Sequence, residues 1–196
     1  MIGPDGLSAG GFSDWLVEIQ GAIRGGGSSQ VPCGSCTACC TSSQFIHIEP
    51  DEGDALAHIP AELLFPAPGR PPGHVLLGYD ERGHCPMLVD GACSIYAHRP
   101  RTCRTYDCRV FAAAGVDPGE DKPLIAGRAR MWQFDYPSSA DRDRHEAVRA
   151  AARDLIEHPE SLPNDAPAPT PTQLAVLAIE IHELFLADRP DHEGRM

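Results

Sequence analysis

VPCGSCTACCTS, Val31–Ser42, carries four thiols within eight positions: Cys33, Cys36, Cys39 and Cys40. A disulfide framework, a metal site and a reactive thiol pair would each leave a different trace in the rest of the chain. The remaining cysteines are Cys85, Cys93, Cys103 and Cys108, and 109–196 contains none. Cysteines used as apolar filler scatter, whereas thiols confined to one stretch serve one local purpose. A C-x2-C turn converges two sulfurs on one point, the usual knuckle for zinc or iron. Three cysteines at successive intervals suit a four-iron cluster better than a single tetrahedral ion, because the corners of a cubane are separate irons. Bacterial ferredoxins use such a triplet and draw another ligand from a Cys-Pro, and here Pro86 follows Cys85. A 4Fe-4S cluster is therefore favoured, with Zn2+ as the alternative.

The adjacent pair Cys39-Cys40 narrows the choice. Neighbouring side chains diverge on a strand or helix, so one ion seldom takes both. Cys40 either serves a second centre or is a buried structural thiol. The first option groups Cys33, Cys36, Cys39 and Cys85 around one centre and Cys40, Cys93, Cys103 and Cys108 around another. One centre with spare thiols, or a thiolate-bridged metal pair, fits the same spacing. HRPRTCRTYDCR supplies Arg99, Arg101, Arg104 and Arg109 against the single acid Asp107. Arginines beside a tetrathiolate centre offset its negative charge and donate to sulfur, and Tyr96 and Tyr106 are expected to pack beside the sulfurs.

The 196 residues carry a net charge of −12, which argues against nucleic-acid partners and anionic membrane surfaces. No stretch is apolar for long enough to span a bilayer; LAVLAIEIHELFLA is interrupted by Glu180, His182 and Glu183. The N-terminus lacks the basic lead and apolar run of a secretory signal. A cytoplasmic location is the expectation, and reduced thiols there point to metal or redox chemistry rather than to disulfides. Nineteen glycines and nineteen prolines predict short elements and much loop. With aromatics at 6%, the core rests on aliphatics or on a metal that supplements them.

The chain reads as an α+β fold: a small irregular cysteine-rich metal-binding core with short strands, plus two C-terminal helices. Residues 1–30 form a flexible N-terminal segment with a short helix over 14–24 capped by Ser13. Residues 31–110 form the cysteine-cluster domain. In it, 44–48 is a strand, Pro50 opens a helical turn through Leu56, and 60–73 is an irregular Pro-rich loop. Val75–Tyr79 and His84–Val89 are read as a hairpin closed by DERG, with a second turn at Asp90-Gly91. Short helical turns follow, broken at Pro100. Residues 111–196 form a C-terminal extension: a strand pair over 124–136, a helix from Asp141 to Glu157, a Pro-rich linker over 159–169, and a helix capped by Thr170 with Gln173 completing the box. Leu174, Leu177, Ile181, Leu184 and Phe185 make the apolar stripe of that last helix, read as core-facing.

CGSCTACC, with Cys85-Pro86-Met87-Leu88, Gly91-Ala92-Cys93-Ser94-Ile95-Tyr96, Arg99-Pro100 and Cys103-Arg104 with Cys108, resembles the YkgJ-like cysteine-cluster proteins. These carry the C-x2-C-x2-C-C domain described as a putative zinc- or iron-chelating domain. The resemblance covers about 31–110 and implies a metal centre on these cysteines. Some members of that family are similar to a flagellin lysine methylase. Other motifs fall away. Gly6-Leu7-Ser8-Ala9-Gly10 lacks the preceding strand of a nucleophile elbow. His145-Glu146 and His182-Glu183 lack the second histidine of a zinc-protease helix. Asp51-Glu52-Gly53-Asp54 lacks calcium-loop spacing. His47, His84 and His98 lie near cysteines in sequence and read as satisfied histidines. Lys122, the sole lysine, has no surroundings that recommend catalysis. The expected function is a cysteine-ligated metal-binding protein holding an iron–sulfur cluster in a redox or electron-transfer role. The alternatives are a structural zinc module acting as an adaptor, and a metal-dependent enzyme resembling a protein-modifying methyltransferase. No catalytic residue, nucleotide motif or defined protein partner is legible.

Overall fold

The computed structural model describes residues 6–29, 31–162 and 168–186. The expected N-terminal segment and Pro-rich linker therefore lie partly outside the described residues. Along the chain, the first elements are β1 (Leu7–Gly11), α1 (Phe12–Ile23), β2 (Ile46–Ile48), α2 (Gly53–His58), β3 (Leu64–Pro66) and β4 (Val75–Leu77). Then come β5 (Leu88–Val89), β6 (Ala92–Cys93), α3 (Arg101–Thr105), α4 (Arg109–Ala114) and α5 (Pro123–Met131). The last are β7 (Trp132–Asp135), α6 (Ser139–Glu157) and α7 (Pro171–Ile181), with 3-10 turns between several elements. Helices and short strands share the chain, an α+β fold. It divides into two compact units: Met1–Gln20 with Arg109–Pro118 and Met131–Met196, and Gly21–Cys108 with Gly119–Arg130.

The cysteine-bearing unit is built on a three-stranded antiparallel sheet with β4 in the centre, between β2 and β3. Ile46 and Leu64 both oppose Leu77, and Pro66 sits on edge strand β3, where its missing N–H costs no ladder bond. One face of the sheet closes over a small core of Ile48, Ile59, Leu77, Met87 and Ile95, against which Cys85 and Cys93 also pack. The expected β4–β5 hairpin does not form. DERG does turn the chain, with Asp80 N–H donating to His84 O at 2.8 Å, but β5 pairs with β6 instead. That pairing is excluded because both edges of β4 are taken, one by the preceding strand β3 and the other by the more distant β2. The Pro-rich loop contains β3, and the Pro50 turn starts its helix only at Gly53.

The other unit pairs β1 with β7 in parallel, Leu7 opposite Trp132 and Gly11 opposite Asp135, with a register shift between Ser8 and Gly10. Its core combines Phe12, Trp15, Leu16 and Phe134 with Phe111, Val148, Ala151, Ala175, Ala178 and Ile179. The strand pair expected over 124–136 is instead α5 followed by β7, because Ile125, Ala126 and Ala129 are buried at helical spacing. Ser138 is the N-cap of α6, not Asp141, which is the N3 partner of a capping box. Asp141 also accepts from the Ser13 N–H at 3.1 Å, so the start of α1 is satisfied by a side chain from α6 rather than by Ser13. These hydrogen bonds, from Ser13 and then Ser138, hold the Asp141 carboxyl well below the usual carboxylate range. Thr170 and Gln173 form the expected box. The buried face of α7, however, is Ala175, Ala178 and Ile179, continued by His182, and Leu184 is 82% exposed. Small residues let this helix approach its neighbours closely where the leucine stripe would hold it off.

His145 is a core histidine whose ring stacks on Phe12 at 4.4 Å between centroids. Its Nε2 donates to Ala113 O at 3.0 Å, so its Nδ1 accepts from the Tyr136 hydroxyl at 2.6 Å. Burial, then the charge of Arg149, lowers its pKa from 6.5 to about 4. The unfolded chain therefore binds this proton at higher pH than the folded chain does. The stability contribution is complete above pH 6.5 and is lost as pH falls towards about 4. Proton NMR titration is expected to place the His145 midpoint near 4, and a value near 6.5 would contradict this packing. In the cysteine-bearing unit, Ile48→Ala is expected to cost about 2–5 kcal/mol, read as a lowered midpoint in denaturant unfolding.

Candidate metal centre

All eight cysteines are free thiols, Cys108 buried and the others half-buried. Local backbone devices place each one. Cys36 N–H donates to Cys33 O at 3.0 Å, forming the first knuckle, with Gly34 at φ +57° inside it. Cys39–Thr41 is a single 3-10 turn. Ser42 Oγ donates to Ala38 O at 2.6 Å and Thr41 Oγ1 to Thr37 O at 3.0 Å, which occupies carbonyls of that turn. Lys122 holds the end of this segment through Ser42 O at 3.0 Å.

Cys85 is brought to Cys40 by the 80–84 loop. The Asp80 carboxylate accepts from the N–H groups of Arg82 and His84 at 2.9 and 2.8 Å, which fixes the turn. Gly83 N–H donates to Asp80 O, Ser43 N–H donates to Gly83 O, and Cys85 N–H donates to Cys40 O at 2.7 Å. Gly83 has φ +78°, and a Cβ there would collide with Ser43 Oγ. Cys93 is set by the β5–β6 hairpin, whose loop residues Asp90 and Gly91 both have positive φ (49° and 76°), as a type I′ turn requires. Cys103 rides on α3, which starts after Pro100. The Glu52 carboxylate accepts from the Arg101 N–H at the start of that helix, and Thr102 Oγ1 donates to His47 O at 2.6 Å.

The thiols act on one another. Burial, followed by Cys108, Cys33, Cys40 and Cys36, pushes the Cys39 thiol far up. Burial and then Cys36 raise Cys33. Cys40 is pushed up to about 11 by burial, then by Cys85 and Cys93. Cys103 is pushed up to about 12 by burial, then by Cys85, Cys40 and Cys93. Cys85 is raised by burial, and Cys93 acts in the same direction. By leading neighbours, Cys39 leans on Cys108 and Cys33 (the Cys33 group, with Cys36), while Cys40 and Cys103 lean on Cys85 and Cys93 (the Cys40 group), and Cys33 and Cys36 act on Cys40 as well. Cys85 is tied by its backbone to Cys40.

Residues 32–117 match the CxxCxxCC family, a putative zinc- or iron-chelating domain. No curated protein and no solved structure matches the chain. For a CxxCxxCC domain the donor set is chemically apt, since thiolates suit zinc and iron. The spacing adds a constraint. A tetrahedral ion with bonds of ~2.3 Å to sulfur holds its sulfurs about 3.8 Å apart. Among the described residues, no three sulfurs lie within 4.8 Å of one another, and the set that meets this limit is Asp54, His58 and His98.

The arginines distribute unevenly around these sulfurs. Arg99 lies close enough to favour the thiolates of Cys33 and Cys103, and stacks on Tyr96 at 3.7 Å. Tyr96 is 60% exposed. Arg101 directs its guanidinium to Glu49 and Asp51, and Arg104 lies 4.0 Å from Glu52. Arg109 is buried, donates to Ala9 O at 3.2 Å and lies 3.9 Å from Glu18. One residue outside the expected set contributes, and one inside it takes its expected place. Arg128 donates to Cys33 O at 3.1 Å and favours its thiolate, and Tyr106 is half-buried beside Cys39 and Cys108. Arg128 sits in the segment expected to be strands, and no motif there signals its return to the cysteines. Among the histidines, His47 and His74 pair ring to ring at 3.0 Å, and His98 bonds to Asp54 at 3.0 Å.

Gly83→Ala tests the loop that carries Cys85. The left-handed conformation alone costs an alanine about 1–2 kcal/mol, and the clash with Ser43 adds to this. The expected result is a less stable protein that loses metal from the Cys40 group first, read by elemental analysis before and after mild chelation. Unchanged metal retention would show that the loop does not position Cys85.

Proposed function

We propose that the two thiol quartets bind iron as iron–sulfur clusters and that the protein transfers electrons. The observation that carries this reading is that all eight cysteines are free thiols within one compact unit and act on one another's ionisation, Cys39 leaning on Cys108 and Cys40 on Cys85 and Cys93. Two features support iron over a lone ion: the overlapping C-x2-C-x2-C triplet, and sulfur spacing wider than the bite of a tetrahedral ion. Such a group would supply one-electron chemistry, with the cytoplasm as the proposed compartment.

The chain's own residues act on the thiolates. Burial opposes ionisation of Cys33, Cys39, Cys40, Cys85 and Cys103, so these thiols stay protonated at neutral pH until a cation replaces the proton. This disfavours metal-free thiol redox chemistry, which needs depressed thiol pKa values. Arg99 and Arg128 offset the negative charge of the Cys33 group, and the Tyr106 ring shields Cys39 and Cys108 from water.

A structural zinc module is the second reading. The buried cluster under the sheet contains only five residues, and Cys85 and Cys93 pack against it, so a metal there would complete an otherwise small core.

Anaerobic purification with metal and sulfide analysis separates the two. Iron matched by acid-labile sulfide, with a visible spectrum that bleaches on reduction, is expected. About two zinc ions per chain without colour would select the structural module. Paired substitutions test the grouping: Cys39→Ser and Cys108→Ser should each remove the same centre, and together remove no more. Cys85→Ser with Cys108→Ser should remove both.

A further inference from the structure

We propose that Lys122 and Arg128 are positioning residues for the metal centre, two cationic anchors by which the segment 119–130 straps the cysteine loop at both ends. Lys122 Nζ donates to Ser42 O at 3.0 Å, just past Cys40. Arg128 donates to Cys33 O at 3.1 Å and, at 3.4 Å, to Pro32 O. The anchored points thus enclose Cys33, Cys36, Cys39 and Cys40. Both donors belong to one element. Ala126 N–H donates to Lys122 O at 2.9 Å, so helical spacing runs from Lys122 itself. Lys122, Ile125 and Arg128 then follow one another along a single ridge, the two cations about 9 Å apart along the helix axis. Ile125, between them, is buried.

Helix stability accounts for only one of the two cations. Arg128 lies in the last turn of α5, where the helix dipole favours positive charge. Lys122 immediately precedes Pro123, at the opposite end, where a cation is disfavoured. It is also the sole lysine of a chain whose basic charge is otherwise carried by arginine. Asp121, 3.4 Å from its Nζ, is 76% exposed, and exposed ion pairs contribute little. The partner that explains the position is the carbonyl of buried Ser42, which Gln44 Nε2 also reaches at 3.2 Å. The strap is moreover an addition to the matched domain. The family match ends at residue 117. Residues 119–130 nonetheless fold with the cysteine-bearing unit, while 109–118 before them and 131 onward belong to the other unit.

Each anchor is a hydrogen bond from a charged donor, among the stronger kinds. It restrains a loop whose own backbone bonds are short-range: Cys33 to Val31, Cys36 to Cys33 and Thr41 to Ala38. Arg128 acts a second time through its charge, which favours the Cys33 thiolate together with Arg99. Release of a bound metal starts with the departure of one thiolate, so a loop held at both ends keeps its metal longer. This role rests on the metal-binding reading and holds for iron and zinc alike.

The test is anaerobic loss of thiol-bound metal from holoprotein to excess EDTA, followed by elemental analysis of desalted samples against time. Lys122→Met and Arg128→Met are each expected to speed the loss at least threefold, and the double variant at least tenfold. Lys122→Arg and Arg128→Lys keep a charged donor and should stay within twofold of the unaltered rate. A second arm needs no variant, because Lys122 is the only side-chain amine. Acetylation of the holoprotein, which removes that charge, should speed metal loss, whereas reductive methylation, which keeps it, should not. Unchanged loss from the double variant, loss from the conservative variants as fast as from the methionine ones, or equal loss after acetylation and methylation would each overturn the strap and leave the metal-binding reading standing. Protein isolated without thiol-bound metal would overturn that reading and the strap with it.

Discussion

Burial and mutual repulsion of thiolates govern the cysteine-bearing unit. Ionising one of these sulfurs in a half-buried setting is costly, and ionising several together costs more, as the raised values of Cys39, Cys40 and Cys103 show. Without a cation the thiols therefore stay protonated, and on the proposed reading a bound cation is what would ionise them, because Arg101 and Arg104 spend their charge on Glu49, Asp51 and Glu52.

The backbone solves the geometric half of metal ligation before any metal arrives. The Asp80 turn with the contact between Gly83 and Ser43 delivers Cys85, the Asp90-Gly91 turn delivers Cys93, and the break at Pro100 delivers Cys103. None of them uses the cysteine side chain to do so. Glu52 serves two elements at once, accepting from the Glu49 N–H before α2 and from the Arg101 N–H at the start of α3. It thereby couples the helix carrying Asp54 and His58 to the one carrying Cys103.

Much of this was legible in the sequence where the chemistry is local. The C-x2-C spacing, the Asp-Gly turn, the proline break and the Thr170–Gln173 box all act within a few residues, and all appear as read. What sequence could not show is long-range choice. Strand β4 takes β3 before it and the distant β2 as partners and leaves β5 unpaired with it, and Cys85 joins Cys40 through a backbone bond. Residues 123–131 carry too few apolar positions to separate a short helix from a strand, and burial of Ile125, Ala126 and Ala129 settles it. The Asp54, His58 and His98 cluster also stayed hidden, because its histidines lie on elements that only the fold brings together.

The bond from Ser13 N–H to Asp141 joins residues 128 apart, and the strand opposite β1 is likewise more than a hundred residues downstream. The stretch between holds every cysteine. During synthesis on the ribosome, the opening segment must therefore wait for its partners. The metal-binding portion emerges complete while that opening segment is still unpaired, so cofactor loading could be finished before the terminal helices exist.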